Sequence, residues 1–336
     1  MSENLIIKTE KIMSISAFSQ RTAKKALFLY FIIAFAITWT CWIISMHFLL
    51  ENGYPIPSVL TFLDRIDGGY SSSLQIWLNL LFSVGTLGPF ISATITIGII
   101  YGTDNLKEFF KRFINFNFDK KWWIVIFLIP LGLTGINAVF SIMSSGGNTA
   151  GFFQFDYPWY FAILMLLNQT FTSGLEEPGW RGFATPEFQK IKNAEDSGFY
   201  IGIIWGIWHF PFLIYLYSSL YAGNTYLIVL SLVGYVALIV PKSIIDVWIY
   251  NNTRSIGLLI IAHGFDNFIP QIIMGGVVDS SGGVIIAVAT WILSGLITKK
   301  YGKEHLALNF DEELLSDFTI EEADGIDSER ESSKGT

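Results

Sequence analysis

The hydrophobic pattern of the chain consists of long apolar stretches separated by short polar segments. A helix needs about 20 mainly apolar residues to cross the hydrocarbon core of a bilayer, and the stretches have about that length. They cover roughly residues 26–50, 77–101, 122–143, 158–177, 199–220, 225–249, 256–274 and 276–298. The pattern therefore predicts an all-α, polytopic membrane protein with about eight transmembrane helices.

The basic residues of the connecting segments support this count, because base-rich and base-poor segments alternate along the chain. The segment after the second stretch contains five bases: Lys107, Lys111, Arg112, Lys120 and Lys121. The segment after the first stretch has a single base, Arg65, against three acids. Cytoplasmic loops carry the excess of Lys and Arg. We therefore predict a multi-pass protein of the cell membrane with both termini in the cytoplasm.

The chain divides into three predicted parts, which are a cytoplasmic N-terminal segment (1–25), a transmembrane domain (26–300) and a C-terminal tail (301–336). The tail has 11 acidic and 3 basic residues and few large apolar side chains, so we predict that it is disordered. It accounts for the net charge of −7 of the whole chain. The acidity therefore belongs to the tail and not to the transmembrane domain.

Composition narrows the class of protein further. The chain is 52% hydrophobic and only 15% charged, which excludes a soluble domain because too few charges remain to cover its surface. Membrane lipid is therefore a predicted partner, and we expect no nucleic-acid partner. The single cysteine, Cys41, excludes a disulfide within the chain. The sequence gives no prediction of oligomeric state.

Ionisable residues inside the apolar stretches are the candidates for chemistry. A charged side chain at the bilayer centre costs about 2.5–3.5 kcal/mol on insertion scales, so residues of this kind mark functional sites. The candidates are four acids within or at the ends of these stretches, Glu176, Glu177, Asp246 and Asp266, and two histidines that lie well inside them, His209 and His263. They belong to four different predicted helices.

The first candidate cluster lies at the end of the fourth apolar stretch. Glu177 and Arg181 are four residues apart and can pair across one helical turn, although Pro178 and Gly179 make a regular helix doubtful there. Because adjacent side chains diverge by about 100° on a helix, Glu176 is left as the freer carboxylate and suits a general base. The alternative is an ordinary ion pair at a helix end.

Two further clusters lie deeper in the apolar stretches. His209 follows Trp205 by four residues, and a packing role for this histidine is the alternative to a catalytic one. His263 and Asn267 share a helix face and can both donate hydrogen bonds to an oxyanion. Their alternative role is hydrogen bonding between helices. Asp266 points elsewhere, and we interpret it as a supporting residue or as the partner of Lys242 or Arg254.

Several known types of catalytic site are missing from the sequence. We find no Ser-His-Asp set, no Gly-Lys phosphate loop and no His-Glu-x-x-His, and the last absence argues against a standard zinc membrane protease. A metal held by Glu176, His209 and His263 is chemically feasible. We rank a metal-free mechanism above it and expect no cofactor.

Together these residues resemble the CAAX protease and bacteriocin-processing (Abi) family of glutamate intramembrane endopeptidases. The family motif Glu-Glu-x-x-x-Arg matches Glu176, Glu177 and Arg181. An aromatic residue followed by x-x-x-His matches Trp205 and His209, although Phe is commoner at the aromatic position. The third motif, His-x-x-x-Asn, matches His263 and Asn267. The resemblance covers roughly residues 158–275 and includes the run from Trp248 to Ile256.

The resemblance implies an all-helical membrane protease whose cavity opens to the cytoplasmic side. It implies that Glu176 activates water with help from His209, that His263 and Asn267 stabilise the oxyanion, and that Glu177 and Arg181 support them. The expected partner is a peptide or protein substrate. Two other functions stay open at this point, a non-catalytic bacteriocin-immunity or scaffolding protein of the same family and a small transporter that uses Glu176 and Asp266 as proton relays.

Overall fold

The computed structural model describes residues 3–153, 155, 157–274, 280–308 and 318. All regular elements in these residues are helical. The α-helices are α1 (Glu3–Glu51), α2 (Val59–Gly68), α3 (Ser73–Thr86), α4 (Gly88–Ile100), α5 (Gly102–Lys111), α6 (Lys121–Ser144), α7 (Trp159–Phe171), α8 (Glu177–Gly179), α9 (Thr185–Gln189), α10 (Ala194–Trp208), α11 (Phe210–Leu220), α12 (Thr225–Thr253), α13 (Ile256–Met274) and α14 (Ser280–Tyr301).

The predicted class of an all-α polytopic membrane protein is confirmed. Among the described residues, five helices are long and apolar enough to cross a membrane: α1, α6, α12, α13 and α14. Two bent pairs raise this number to seven, with α3 and α4 meeting at 55° and α10 and α11 at 57°. Each bend lies directly before a proline, Pro89 or Pro211, which has no N–H to continue the preceding helix.

The remaining predicted stretch, 158–177, has a different form. Its helix α7 is 13 residues long and gives way to a 3₁₀ turn from Ser173 to Glu176. The chain then passes through α8, a π turn from Trp180 to Ala184 and α9. Every residue from 176 to 187 is buried, so the Glu-Glu-x-x-x-Arg motif lies on an irregular helical segment enclosed by other helices.

The helix pair with the most extensive contact among the described residues is α10 against α12. Three glycines of α10, at positions 198, 202 and 206, lie one turn apart and face Ile244, Val240 and Val236 of α12. A Cβ atom on Gly202 would lie 2.6 Å from the Cα atom of Val240. Small residues allow such close approach of helices in membranes, where dispersion contacts drive association. This packing fixes the position of Trp205 and of the bend that follows it.

Part of the predicted C-terminal tail packs against the bundle. The backbone carbonyls of His305 and Leu306 accept hydrogen bonds from the side chains of Asn251 and Asn252 at the end of α12. Phe318 is buried and lies against the rings of Tyr101 and Phe183. Most of the tail for which disorder was predicted, 309–317 and 319–336, lies outside the described residues.

We expect Gly202→Ala to destabilise the fold, because the added methyl group meets the backbone of α12 and overpacking typically costs about 1–3 kcal/mol. The matched control is Gly132→Ala on α6, where a Cβ atom meets nothing within 4 Å. Thermal unfolding of both variants in lipid nanodiscs measures the difference. Equal unfolding temperatures for the two variants would show that α10 and α12 are not in close contact.

Candidate active site

Three regions of the chain bring the predicted functional residues into the centre of the bundle. Glu176 closes the 3₁₀ turn, and Glu177 and Arg181 follow on α8 and the π turn. His209 occupies the bend between α10 and α11, and His263 and Asn267 lie on α13. Glu176, Glu177 and Arg181 are 3%, 1% and 0% exposed. Burial this deep is costly for a charged group unless the group is paired or hydrogen-bonded.

The predicted pair of Glu177 and Arg181 is present and belongs to a larger cluster. An Nη1–H of Arg181 donates to Oε1 of Glu177 at 3.0 Å, and an Nη2–H donates to Oδ2 of Asp246 on α12 at 2.7 Å. Nδ1 of His263 lies 2.7 Å from the same Oε1 of Glu177. Arg181 therefore balances two carboxylates, and Glu177 links the motif segment to α13.

Trp205 of α10 lies between the two histidines and the charged cluster. Its indole N–H donates to Oε2 of Glu176 at 2.8 Å. The guanidinium carbon of Arg181 stands 4.5 Å from the centroid of the Trp205 ring, a cation–π distance. The rings of His209 and His263 lie 5.9 and 5.5 Å from this indole. One aromatic side chain thus contacts all three motifs.

Glu176 differs from the neighbouring carboxylates in its partners. Glu177 and Asp246 share Arg181, and Asp266 pairs with Lys242. Among the described residues, no salt bridge reaches Glu176, whose carboxylate is held by the neutral indole of Trp205. The prediction that Glu176 is the freer carboxylate agrees with this arrangement.

His209 is held in a defined tautomer by the bend. Its backbone N–H bonds to Gly206, and its ring atom Nδ1 lies 2.8 Å from the carbonyl oxygen of Trp205. Because a carbonyl oxygen only accepts, Nδ1 carries the proton. In the neutral imidazole, Nε2 is then the atom that can accept a proton from a bound group.

A cavity of about 410 Å³ reaches Glu176 and His209. Amide and hydroxyl side chains line it together with aromatic rings, and these residues include Asn79, Ser83, Thr86, Asn168, Gln169, Ser173, Trp42, Phe82 and Phe212. The ionisable groups of its wall are Glu176, His209, Arg65 and Tyr70. The cavity is large enough for several residues of a peptide beside a water molecule.

His263 and Asn267 line a second cavity of about 330 Å³, together with Lys242, Asp246 and Asp266. Its other walls are mainly apolar side chains of α6, α12, α13 and α14, with the polar groups of Thr134, Tyr235, Gln271 and Thr290 among them. The four predicted catalytic residues are therefore divided between two cavities, with Trp205 in contact with both histidines. Sequence spacing placed His263 and Asn267 on one face of α13 correctly, but it could not show which cavity that face borders.

The three residues that could together hold a metal ion, Glu176, His209 and His263, are not grouped in this arrangement. In the part of the chain that the structure describes, no three His, Cys, Asp or Glu side chains lie close enough to hold a metal ion. Glu176 and His209 border one cavity, whereas His263 borders the other.

Sequence reasoning left two residues of the site without a specific role. Asp246 is the second carboxylate of Arg181, and Trp205 is the hydrogen-bond donor to Glu176. The signal for Asp246 was its position inside an apolar stretch, but no spacing rule connects it with Arg181, 65 residues earlier. The proposed pairing of Asp266 with Lys242 is present.

The fold and the site define a multi-pass membrane protein with a buried polar centre. The sequence family described as type II CAAX prenyl endopeptidase Rce1-like matches residues 158–269, the region that contains all three motifs. The chain is also 28% identical over 244 residues to CAAX prenyl protease 2 of Methanococcus maripaludis, a match that covers 70% of this chain and 80% of that protein. The resemblance to the CAAX protease family is thereby confirmed, and it supports a membrane endopeptidase in general.

We expect Arg181→Met to destabilise the protein strongly, because the change leaves two buried carboxylates without their cation, and such losses cost about 3–5 kcal/mol. The matched control is Lys107→Met, which removes an exposed ion pair with Asp104 that contributes about 0–1 kcal/mol. The yield of folded protein and its thermal unfolding temperature report the effect. An Arg181→Met variant as stable as the control would contradict the assigned charge balance.

Proposed function

We propose that this protein is a membrane-embedded endopeptidase in which Glu176 activates a water molecule to hydrolyse a peptide bond. The observation that carries the proposal is the position of Glu176. It is a buried carboxylate without an ion-pair partner among the described residues, and it borders a peptide-sized cavity together with His209. A stability role does not require a carboxylate in this position, whereas a general base does.

In the proposed reaction, Glu176 takes a proton from water as the oxygen attacks the carbonyl carbon of the substrate. Nε2 of His209 helps to orient this water, since Nδ1 is bound to the carbonyl of Trp205. The tetrahedral intermediate then collapses, and Glu176 returns the proton to the amine that leaves. This is general acid–base catalysis by one residue in two roles.

We propose that His263 and Asn267 stabilise the oxyanion of the intermediate. Both border the second cavity, so the substrate carbonyl has to reach past Trp205 to meet them. Glu177 and Arg181 support this arrangement by fixing Nδ1 of His263 and the ring of Trp205.

The substrate class follows from the comparisons as a proposal. The archaeal relative is a CAAX prenyl protease, so a prenylated C-terminal peptide is the first substrate to test. The resemblance implies that the substrate is presented at the cytoplasmic side. A diverse peptide library is the second substrate to test, because the lining of the Glu176 cavity contains many amide and hydroxyl groups that suit a peptide backbone.

One observation favours the alternative of a non-catalytic immunity or scaffolding protein. The motif residues are divided between two cavities, and a binding protein does not need to bring them together. In that case Glu176 and the second cavity would serve to hold a partner peptide without cleaving it.

We expect Glu176→Gln to lower the rate of peptide cleavage by about 10²–10⁴-fold, the usual contribution of a general base. The protein is purified in lipid nanodiscs, and products are read by mass spectrometry. Glu108→Gln is the matched control, since Glu108 is an exposed carboxylate paired with Lys111 on α5. Cleavage by the Glu176→Gln variant at the control rate would reject the proposed mechanism.

We expect Trp205→Phe to lower kcat by about tenfold, because a hydrogen bond to a charged group contributes about 1.5–3 kcal/mol. The aromatic ring and its contact with Arg181 are retained in this variant. Trp208→Phe is the control, since this neighbouring buried indole donates to Thr38 and not to Glu176. Equal values of kcat for the two variants would show that the indole N–H of Trp205 does not contribute to catalysis.

A further inference from the structure

One aromatic side chain of the acidic tail is enclosed by the helical bundle. Phe318 is 2% exposed, although the tail has 11 acidic and 3 basic residues. Segments of this composition bury too little apolar surface to fold by themselves. An enclosed ring in such a segment therefore marks a specific docking site on the rest of the chain.

Two aromatic rings form the apolar part of this docking site. The Tyr101 ring, between α4 and α5, has its centroid 5.4 Å from that of Phe318, and the Phe183 ring of the π turn has its centroid 5.6 Å away. Aromatic pairs attract each other at separations of this kind. All three residues belong to the main apolar core of the bundle, so Phe318 is packed as a core residue and not as part of a surface patch.

Two cations complete the site. The guanidinium carbon of Arg112 stands 4.8 Å from the centroid of the Phe318 ring, and Nζ of Lys190 stands 5.9 Å from it; both are cation–π distances. Lys190 also donates a hydrogen bond to the backbone carbonyl of Phe318 at 2.9 Å. The site therefore binds the ring and the backbone of the same residue. We call its four residues, Tyr101, Arg112, Phe183 and Lys190, the Phe318 socket.

Glu187 fixes the position of two socket residues. Its Oε1 accepts a hydrogen bond from Nζ of Lys190 at 2.6 Å, and its Oε2 accepts one from the hydroxyl of Tyr101 at 2.7 Å. Glu187 is 0% exposed, and the side chain of Lys190 is 5% exposed. Charges so deeply buried are tolerated when they are paired and hydrogen-bonded. The socket is thus a built site whose polar groups are held in place by one another.

The socket is joined directly to the segment that carries the first motif. Phe183 follows Arg181 by two residues within the π turn. Arg112 donates a hydrogen bond to the Gly182 carbonyl in the same turn at 3.3 Å and another to the hydroxyl of Tyr250 on α12 at 2.9 Å. Because π turns are rare and poorly stable by themselves, contacts outside the turn help to hold it. The occupant of the socket therefore packs against the turn that positions Arg181.

The connection of the tail to the bundle explains why the occupant is a segment of the same chain. The backbone carbonyls of Lys303 and Glu304 accept hydrogen bonds from the N–H groups of Glu195 and Ala194 at the start of α10. This attachment keeps Phe318 near the socket at an effective concentration on the order of millimolar. A residue tethered in this way fills a site that a free peptide fills only at high concentration.

We propose that the C-terminal tail is an intramolecular ligand whose Phe318 occupies the socket and holds the π turn, and with it Arg181, in position. The docking goes beyond the proposed function and does not depend on it. The effect on catalysis rests on the proposed function, because Arg181 contacts Trp205, the donor to Glu176. Within the part of the chain that the structure describes, no socket residue lines the Glu176 cavity. Phe318 is therefore a positioning residue, and its loss affects the reaction rate and not substrate binding.

Hydrogen–deuterium exchange read by mass spectrometry tests the docking without catalysis. We expect Phe318→Ala to speed amide exchange in segments 101–112 and 180–190 by about tenfold or more, because the change removes one buried aromatic side chain. Leu308→Ala is the matched control, since Leu308 lies in the same tail and is 67% exposed, and we expect it to exchange like the wild type. Unchanged exchange of both segments in Phe318→Ala, or an equal increase throughout the bundle, would overturn the proposal.

Phe318→Leu keeps most of the apolar volume, so it provides folded protein for a second test even where Phe318→Ala does not fold. We expect faster exchange of segment 180–190 in this variant as well, because the ring that faces Arg112 is lost. A synthetic peptide of residues 309–320, added at about millimolar concentration, should restore the exchange rate of the wild type. The same peptide with Phe318→Ala is its control. Equal effects of the two peptides, or no effect of either, would overturn the socket as the binding site.

Peptide cleavage measures the effect on catalysis. We expect Phe318→Ala to lower kcat severalfold with KM unchanged, the pattern of a change that acts on the transition state alone, and Leu308→Ala to leave both constants unchanged. An unchanged kcat, or a change in KM alone, would overturn the positioning role. If the purified wild type cleaves no peptide, the proposed function fails, whereas the exchange data still decide whether the tail docks.

Discussion

The buried charge of Arg181 is the constraint on which the centre of this protein depends. A guanidinium group is fully enclosed here, and its two carboxylate partners come from separate parts of the chain, Glu177 beside it and Asp246 on α12. Transfer of such charges out of water is so costly that they are tolerated only when they are paired and hydrogen-bonded. The pairing ties the irregular motif segment to the long helix α12.

The other features of the site follow from this enclosure. The Arg181 guanidinium lies over Trp205, and Trp205 in turn donates to Glu176. His263 is joined to the same cluster through Glu177. Because these contacts share partners, a change in one is transmitted to the next. Glu176 is left beside the cavity with a neutral hydrogen-bond donor, which is the environment in which a carboxylate can exchange a proton with water.

The irregular backbone around Glu176 has a physical reason as well. Pro178 cannot donate a hydrogen bond, and the chain passes from a 3₁₀ turn to a π turn within a few residues. Non-helical backbone is tolerated at membrane depth only where protein encloses it or where it lines a polar cavity. Both conditions hold here, since Phe109 and Arg112 cover the segment from one side and the Glu176 cavity meets it from the other.

The sequence by itself determined the class of the fold and the identity of the motif residues. Apolar stretches of membrane-spanning length are stable in lipid, and a spacing of four residues places His263 with Asn267 and Glu177 with Arg181 because helical geometry is local. The same locality accounts for what the sequence left open. The contact of Arg181 with Asp246, the close packing of Gly202 on Val240 and the position of α2 over the Glu176 cavity join distant parts of the chain. These three features depend on how the helices pack, because side chains on separate helices meet through tertiary contacts that no periodicity encodes.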